Sequence, residues 1–219
     1  MYSNSNPDNK NLSQYRLRIG LTGGIACGKT TTSDRLRALG AGIIDTDIIA
    51  RDIVTPDSEG LRRIIEAFGF GVLDKDGNLN RKVLRKRIFE NEAEKSLLES
   101  LLHPIIKSVA INQSKTITGK YIVFVVPLLF ESGFDKLVDR ILVIDCPNKT
   151  QKVRLISRDQ TESDFAEKSI GNQIDPTKRM RLADDVIDNS GTIEELFIKI
   201  EQIHQYYIEL NKAKIAKSN

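Results

Sequence analysis

Short apolar runs alternate with amphipathic stretches along this chain. The runs are Arg18-Ile19-Gly20-Leu21, Gly42-Ile43-Ile44-Asp45, Tyr121-Ile122-Val123-Phe124-Val125-Val126, Arg140-Ile141-Leu142-Val143-Ile144-Asp145 and Asp185-Val186-Ile187-Asp188. The third and fourth are continuous and β-branched, the pattern of strands buried on both faces of a parallel sheet. Between the first two lies a helical stretch with Leu36 and Leu39 on one face. Strands alternating with helices predict an α/β fold with a five-stranded parallel sheet flanked by helices. The interval between the second and third strands is far longer than a crossover needs. It reads as helices over Glu59 to Phe68, Arg81 to Glu90 and Glu92 to about Ser114, the last interrupted at His103-Pro104 because proline disfavours helix in the residue before it. Residues 59–119 are therefore expected to be a helical insertion. A second helical insertion is expected at 150–184, leaving 17–58, 120–149 and 185–210 as the core. Three strands end in Asp, at the carboxyl edge where open α/β sheets bind ligands.

The first strand runs into Gly23-Gly24-Ile25-Ala26-Cys27-Gly28-Lys29-Thr30. This fits the phosphate-binding loop G-x-x-x-x-G-K-[ST], and it sits between a strand and a helix as that loop must. Gly23 and Gly28 let the chain wrap around a phosphate. The inward amides form an anion nest, and the helix start adds its positive end. Lys29 is the mobile cation for the outer phosphates, and the Thr30 hydroxyl is the expected Mg²⁺ ligand. Cys27 reads as a small residue that fits the loop, with a reactive thiol as the other reading.

Composition narrows the class. With 40% hydrophobic and 29% charged residues the chain is an ordinary globular protein. A net charge of +3 is too small to argue for nucleic acid. Two cysteines make no disulfide framework, and neither has zinc spacing with His103 or His204, so a reducing cytoplasm is expected. Residues 1–16 lack an apolar core and read as a disordered extension, not a signal peptide. Residues 211–219 read as a solvated basic tail. The longest apolar run is too short for a bilayer. His204 is given a surface or packing role.

The loop names a triphosphate but not a reaction. Asp45-Thr46-Asp47 closes the second strand. Phosphoryl transfer to an alcohol needs a group that accepts the hydroxyl proton, and one of these carboxylates can do so while the other holds metal-bound water. Helix capping by Asp47 is the competing reading, and the spacing leaves both open. The second insertion carries Lys152, Arg154, Arg158, Lys178, Arg179 and Arg181. It reads either as a lid over the triphosphate or as a solvated helix face. A guanine-nucleotide role is disfavoured, because Asn148-Lys149 is followed by Gln151 where a carboxylate is required.

The chain resembles the dephospho-coenzyme A kinases. The resemblance runs from Ile19 to about Tyr207. It rests on Leu21-Thr22-Gly23-Gly24-Ile25, on Ile44-Asp45-Thr46-Asp47-Ile48-Ile49-Ala50-Arg51 and on Leu102-His103-Pro104. Val126-Pro127-Leu128-Leu129-Phe130-Glu131 and Ala183-Asp184-Asp185-Val186-Ile187-Asp188-Asn189-Ser190-Gly191 complete it. It implies a P-loop kinase core, a helical substrate-binding insertion, a lid, and ATP-dependent phosphorylation of the ribose 3′-hydroxyl of dephospho-coenzyme A with Mg²⁺. By matching position, Asp47 is the base, with Lys29 as the second catalytic residue. Gly23, Gly24, Ala26, Cys27, Gly28, Lys29, Thr30 and Thr31 bind ATP together with Arg154, Arg158 and Arg181. Asp47, Arg51, His103, Pro127 and Glu131 take the acceptor. The chain departs from the family pattern at Ala26, Cys27 and Ser169. A small-molecule substrate is implied, with no nucleic acid or membrane partner, and a monomer or weak homo-oligomer. Another small-molecule or nucleoside monophosphate kinase, or a non-catalytic nucleotide-binding regulator, would share the loop.

Overall fold

The computed structural model describes residues 15–160, 162–171 and 173–218. The apolar runs form five strands: β1 (Arg18–Gly23), β2 (Gly42–Asp45), β3 (Ile122–Val125), β4 (Arg140–Asp145) and β5 (Asp185–Asp188). They make one sheet in the order β2-β3-β1-β4-β5. β1 runs parallel to both β3 and β4, and β4 runs parallel to β5. Every side chain of β3 is buried, as its unbroken apolar sequence requires. β5 lies at an edge and keeps both aspartates at its ends.

Nine α-helices lie among the described residues, with two short 3-10 turns at Phe70–Val72 and Asp135–Leu137: α1 (Lys29–Ala38), α2 (Thr46–Asp52), α3 (Glu59–Phe68), α4 (Arg81–Glu90), α5 (Glu92–Thr116), α6 (Asn148–Asp159), α7 (Ser163–Gly171), α8 (Pro176–Arg181) and α9 (Ile193–Ser218). The chain divides into two compact units. One holds the residues up to Ile44 together with those from Ser114 onward; the other is Asp45–Gln113. The second unit begins closer to β2 than the insertion read from sequence at 59–119, because α2 groups with the helices that follow it. No helix among the described residues is long and apolar enough to cross a membrane.

The core of the first unit is built from Ile19, Leu21, Leu36, Val123, Leu142, Ile144, Leu196, Ile200 and Tyr207. His204 is buried there, and its Nδ1 lies 2.9 Å from the Tyr121 hydroxyl. Burial holds the imidazole below its ordinary pKa of 6.5, with Lys120 adding to the effect.

Three sequence expectations change. Residues 211–218 of the expected tail are helical: α9 continues to Ser218, Asn211 is buried, and its Oδ1 accepts the Leu17 amide at 2.7 Å, while residue 219 lies outside the described residues. Ile208 and Leu210 pack on the core, which carries the helix onward, and Lys214 pairs with Asp139. Helix α5 is not interrupted at His103-Pro104 but runs through Pro104. Proline there removes one backbone donor, yet the long helix tolerates it. Finally, residues 1–14 of the expected extension lie outside the described residues, but Arg16 is anchored. Its Nη1 donates to the Ile117 and Gly119 carbonyls and its Nη2 to Ser114.

Candidate active site

The phosphate loop leaves the carboxyl end of the central strand β1 and enters α1. Its curvature depends on two glycines. Gly23 has φ +154°, and a Cβ there would lie 2.1 Å from the Ile144 carbonyl oxygen of β4. Gly28 has φ +101°, and a Cβ would lie 2.4 Å from Asn189 Nδ2. Ala26 adopts φ +57°, a left-handed conformation that costs an L-residue about 1–2 kcal/mol. Small size thus keeps the wrap where a glycine would be easier.

Gly28 caps α1 without any side-chain hydrogen bond, and the first turn of α1 carries no acid. That end of the helix offers its dipole and amides to an anion. Lys29 Nζ folds back on the loop and donates to the Gly23 and Gly24 carbonyls, both at 3.0 Å. Thr30 is exposed at the first turn, and Thr31 follows it, half-buried. The Ile25 amide donates to Gln173 Oε1 at 3.0 Å, so the segment between α7 and α8 touches the loop directly.

Cys27 and Cys146 are both buried, with their sulfurs 3.1 Å apart. The Cys146 thiol donates to Cys27 and is pushed up, while the same bond holds Cys27 below its ordinary value against burial and Asp145. Gln151 is buried, and its Nε2 donates to the Cys146 carbonyl at 3.0 Å. The residue that argued against guanine recognition thus braces the end of β4.

The arginines separate. Arg154, on α6, keeps a buried Nη1 with no hydrogen-bond partner. It acts electrostatically on Cys146. Arg158 is exposed and binds its neighbour Asp159 through two bonds at 2.6 and 2.9 Å. Arg181 ends α8, exposed. Arg179, which sequence reasoning left in a general basic cluster, is buried. Its Nη2 lies 3.6 Å from Asp145 Oδ1, and its Nε has no partner. A buried guanidinium nitrogen without a partner is costly, so Arg154, half-buried, and Arg179 are both suited to phosphate oxygens. Only its burial beside Asp145 at the end of β4 distinguishes Arg179, and no local sequence signal carries that.

Of the residues expected to take the acceptor, Pro127 follows β3, and its carbonyl accepts from Thr22 Oγ1 at 3.2 Å. Glu131 is exposed on the following turn. It lines a cleft of about 650 Å³ with Phe130, Asp135, Gln173, Lys178 and Leu182. This volume is in the range of small-molecule sites.

The second unit carries Asp47, Arg51 and His103. The cap of α2 is Asp45, whose carboxylate accepts the Asp47 amide at 2.8 Å. The capping role weighed for Asp47 therefore belongs to Asp45. Asp47 is exposed one turn before Arg51, and their spacing of four puts both on one helix face. His103 is half-buried in α5, and burial lowers its pKa against the pull of Glu99. Among the described residues no group of three His, Cys, Asp or Glu side chains could hold a metal.

Residues 17–195 match the family model described as "Dephospho-CoA kinase". A relative named dephospho-CoA kinase from Sodalis glossinidius is 40% identical over 88% of this chain and 92% of the relative. A solved dephospho-CoA kinase from Campylobacter jejuni is 28% identical, covers 90% of this chain and 98% of its own, and superposes with a TM-score of 0.64. The solved TT1252 protein from Thermus thermophilus, 23% identical over 86% of this chain and 96% of its own, has a TM-score of 0.75 and shares the fold.

Proposed function

The chain belongs to the dephospho-CoA kinase family, and on that premise we propose that it transfers the γ-phosphoryl group of ATP to the ribose 3′-hydroxyl of dephospho-CoA. The products are CoA and ADP. The observation that carries this beyond family membership is the buried Arg179 and the half-buried Arg154, each with a buried guanidinium nitrogen that has no hydrogen-bond partner, in the unit whose phosphate loop leads into a helix without a side-chain cap.

The acceptor hydroxyl gives its proton to the Asp47 carboxylate as its oxygen attacks the γ-phosphorus, and the bond to the ADP oxygen breaks. Catalysis of this kind is mostly positioning and charge stabilisation. The loop amides and the α1 N-terminus hold the phosphates. Lys29 exchanges its two loop carbonyls for phosphate oxygens and follows the charge as it shifts. Arg154 and Arg179 supply fixed guanidinium groups, while Arg158 and Arg181, exposed, add theirs on closure of the 150–184 segment. Arg51, His103, Pro127 and Glu131 hold the acceptor. His103, with its lowered pKa, acts there as a neutral hydrogen-bonding group.

Mg²⁺ fits as a hard cation held by the Thr30 hydroxyl, phosphate oxygens and water, and when bound it neutralises phosphate charge. The lack of a carboxylate cluster among the described residues agrees with such a sparse protein contribution. A cytoplasmic place of action suits this reaction.

The test is ATP consumption with dephospho-CoA, followed by locating the new phosphate on the product. Asp47→Asn should keep ATP binding and lose most turnover; near wild-type turnover would remove Asp47 as the base. Lys29→Ala should lower kcat/KM by about 100-fold or more, the scale of one oriented charge in the transition state. Transfer to a different acceptor in preference to dephospho-CoA would overturn the assignment.

A further inference from the structure

Cys27 and Cys146 are the two cysteines of the chain, and the proposed transfer uses neither thiol. They lie 119 positions apart in sequence, yet their sulfurs are 3.1 Å apart. One sits within the phosphate loop, the other just beyond β4. Two thiols held this close need to approach by only about 1 Å to reach bonding distance.

We propose that Cys27 and Cys146 form an oxidation site, at which hydrogen peroxide joins them in a disulfide that pins the phosphate loop to the end of β4 and weakens nucleotide binding. The oxidant is a peroxide because both sulfurs are buried and peroxide is close to water in size. A bulky disulfide would not reach them.

The chemistry balances in two steps. The Cys27 sulfur, as thiolate, attacks one peroxide oxygen. The O–O bond breaks, leaving a sulfenic acid on Cys27, and the departing hydroxide takes up the thiol proton as water. The Cys146 sulfur then attacks Cys27 Sγ, the S–O bond breaks, and the hydroxide leaves with the Cys146 proton as a second water. Two thiols and one peroxide give one disulfide and two waters. Cys146 is the resolving partner because its sulfur already lies 3.1 Å from Cys27 Sγ. The hydrogen bond from Cys146 favours the Cys27 thiolate, with Lys29 and Arg179 adding positive charge, while burial and Asp145 oppose it.

The bridge matters for binding because Cys27 carries loop backbone. Its amide donates to the Gly24 carbonyl at 3.2 Å, and its carbonyl accepts from Asn189 Nδ2 at 2.7 Å. Drawing Sγ toward Cys146 pulls on both, and so on the amide nest. Losing one charge-assisted hydrogen bond from the nest to a phosphate oxygen weakens binding by up to about 100-fold.

The experiment treats the full chain with hydrogen peroxide and follows mass, thiol alkylation after denaturation, and ATP affinity by calorimetry without any acceptor. Because no acceptor is present, the result does not depend on which alcohol the enzyme phosphorylates. The expected outcome is a monomer lighter by about 2 Da, with neither thiol alkylated. ATP affinity should fall by up to about 100-fold and return with dithiothreitol. In Cys146→Ser, peroxide should instead add oxygen to Cys27 with no 2 Da loss. Should that variant fail to fold, the wild-type mass and affinity still decide the matter. Thiols that stay open to alkylation, a bridge between two chains, or a bridged monomer that binds ATP as tightly as before would each overturn the proposal.

Discussion

Gly28→Ala tests how the phosphate loop is held in shape. Two separate costs can be worked out for the added methyl. The backbone at φ +101° lies where an L-side chain is strained, at about 1–3 kcal/mol. The new Cβ would also stand 2.4 Å from Asn189 Nδ2. Asn189 is buried, and its Nδ2 donates to the Cys27 carbonyl at 2.7 Å. The amide must therefore move and lose that bond, leaving buried polar groups unpaired at a further cost of about 1–3 kcal/mol. The sum is roughly 2–6 kcal/mol, a large part of the ~5–15 kcal/mol by which domains are stable. For a chain of this size a loss of about 4 kcal/mol lowers Tm by about 12 °C. The chain has no tryptophan, so unfolding in urea is best followed by far-ultraviolet circular dichroism. The decisive measurement is a double-mutant cycle with Asn189→Ala. Without Nδ2 the clash is gone, and Gly28→Ala should cost only its backbone share. The double mutant should then be more stable than the sum of the single effects predicts, by about 1–3 kcal/mol. Strict additivity, within about 0.5 kcal/mol, would refute the steric argument and leave backbone strain as the whole cause.

Other perturbations follow from the same geometry. Asp185 receives Arg140 through two bonds of 3.0 Å and the Tyr207 hydroxyl at 2.8 Å, so Asp185→Ala should destabilise by about 3 kcal/mol in urea titration. An unchanged midpoint would mean that this pairing contributes nothing. His204 is buried with a lowered pKa, so the unfolded chain takes up its proton first as pH falls. Its contribution is complete above the ordinary value of 6.5 and declines below it, by up to about 1.4 kcal/mol per pH unit. His204→Gln should flatten the fall in stability between pH 6.5 and pH 5 relative to wild type; parallel curves would contradict this. Pro104→Ala restores one amide donor inside α5 and should raise stability by about 1–2 kcal/mol, read as a higher urea midpoint. A lower midpoint would show that Pro104 is held by contacts stronger than the missing bond.

What could be read from the sequence was what is local along the chain. The five strands were legible because each buried strand is a continuous apolar run, and the phosphate loop because its ligands are adjacent residues. Features made by docking were not. Spacing offers Asp47 as the cap of α2, and only the turn into the helix shows that Asp45 takes that role. The basic residues after Leu210 look solvated until α9 is seen to carry Asn211 onto the Leu17 amide. Arg179 differs from its basic neighbours only through burial beside Asp145. Cys27 is the sharpest case. Within the loop it is simply a small residue, and nothing near it in sequence suggests a partner. The register of the sheet supplies one. Gly23 of β1 lies opposite Ile144 of β4, so the residues that follow the two strands leave the same edge side by side. That register, set by apolar residues that have no part in the chemistry, brings Cys146 against the loop. A thiol pair at this position is therefore a property of strand pairing, and its consequence falls on the backbone that cradles the phosphates.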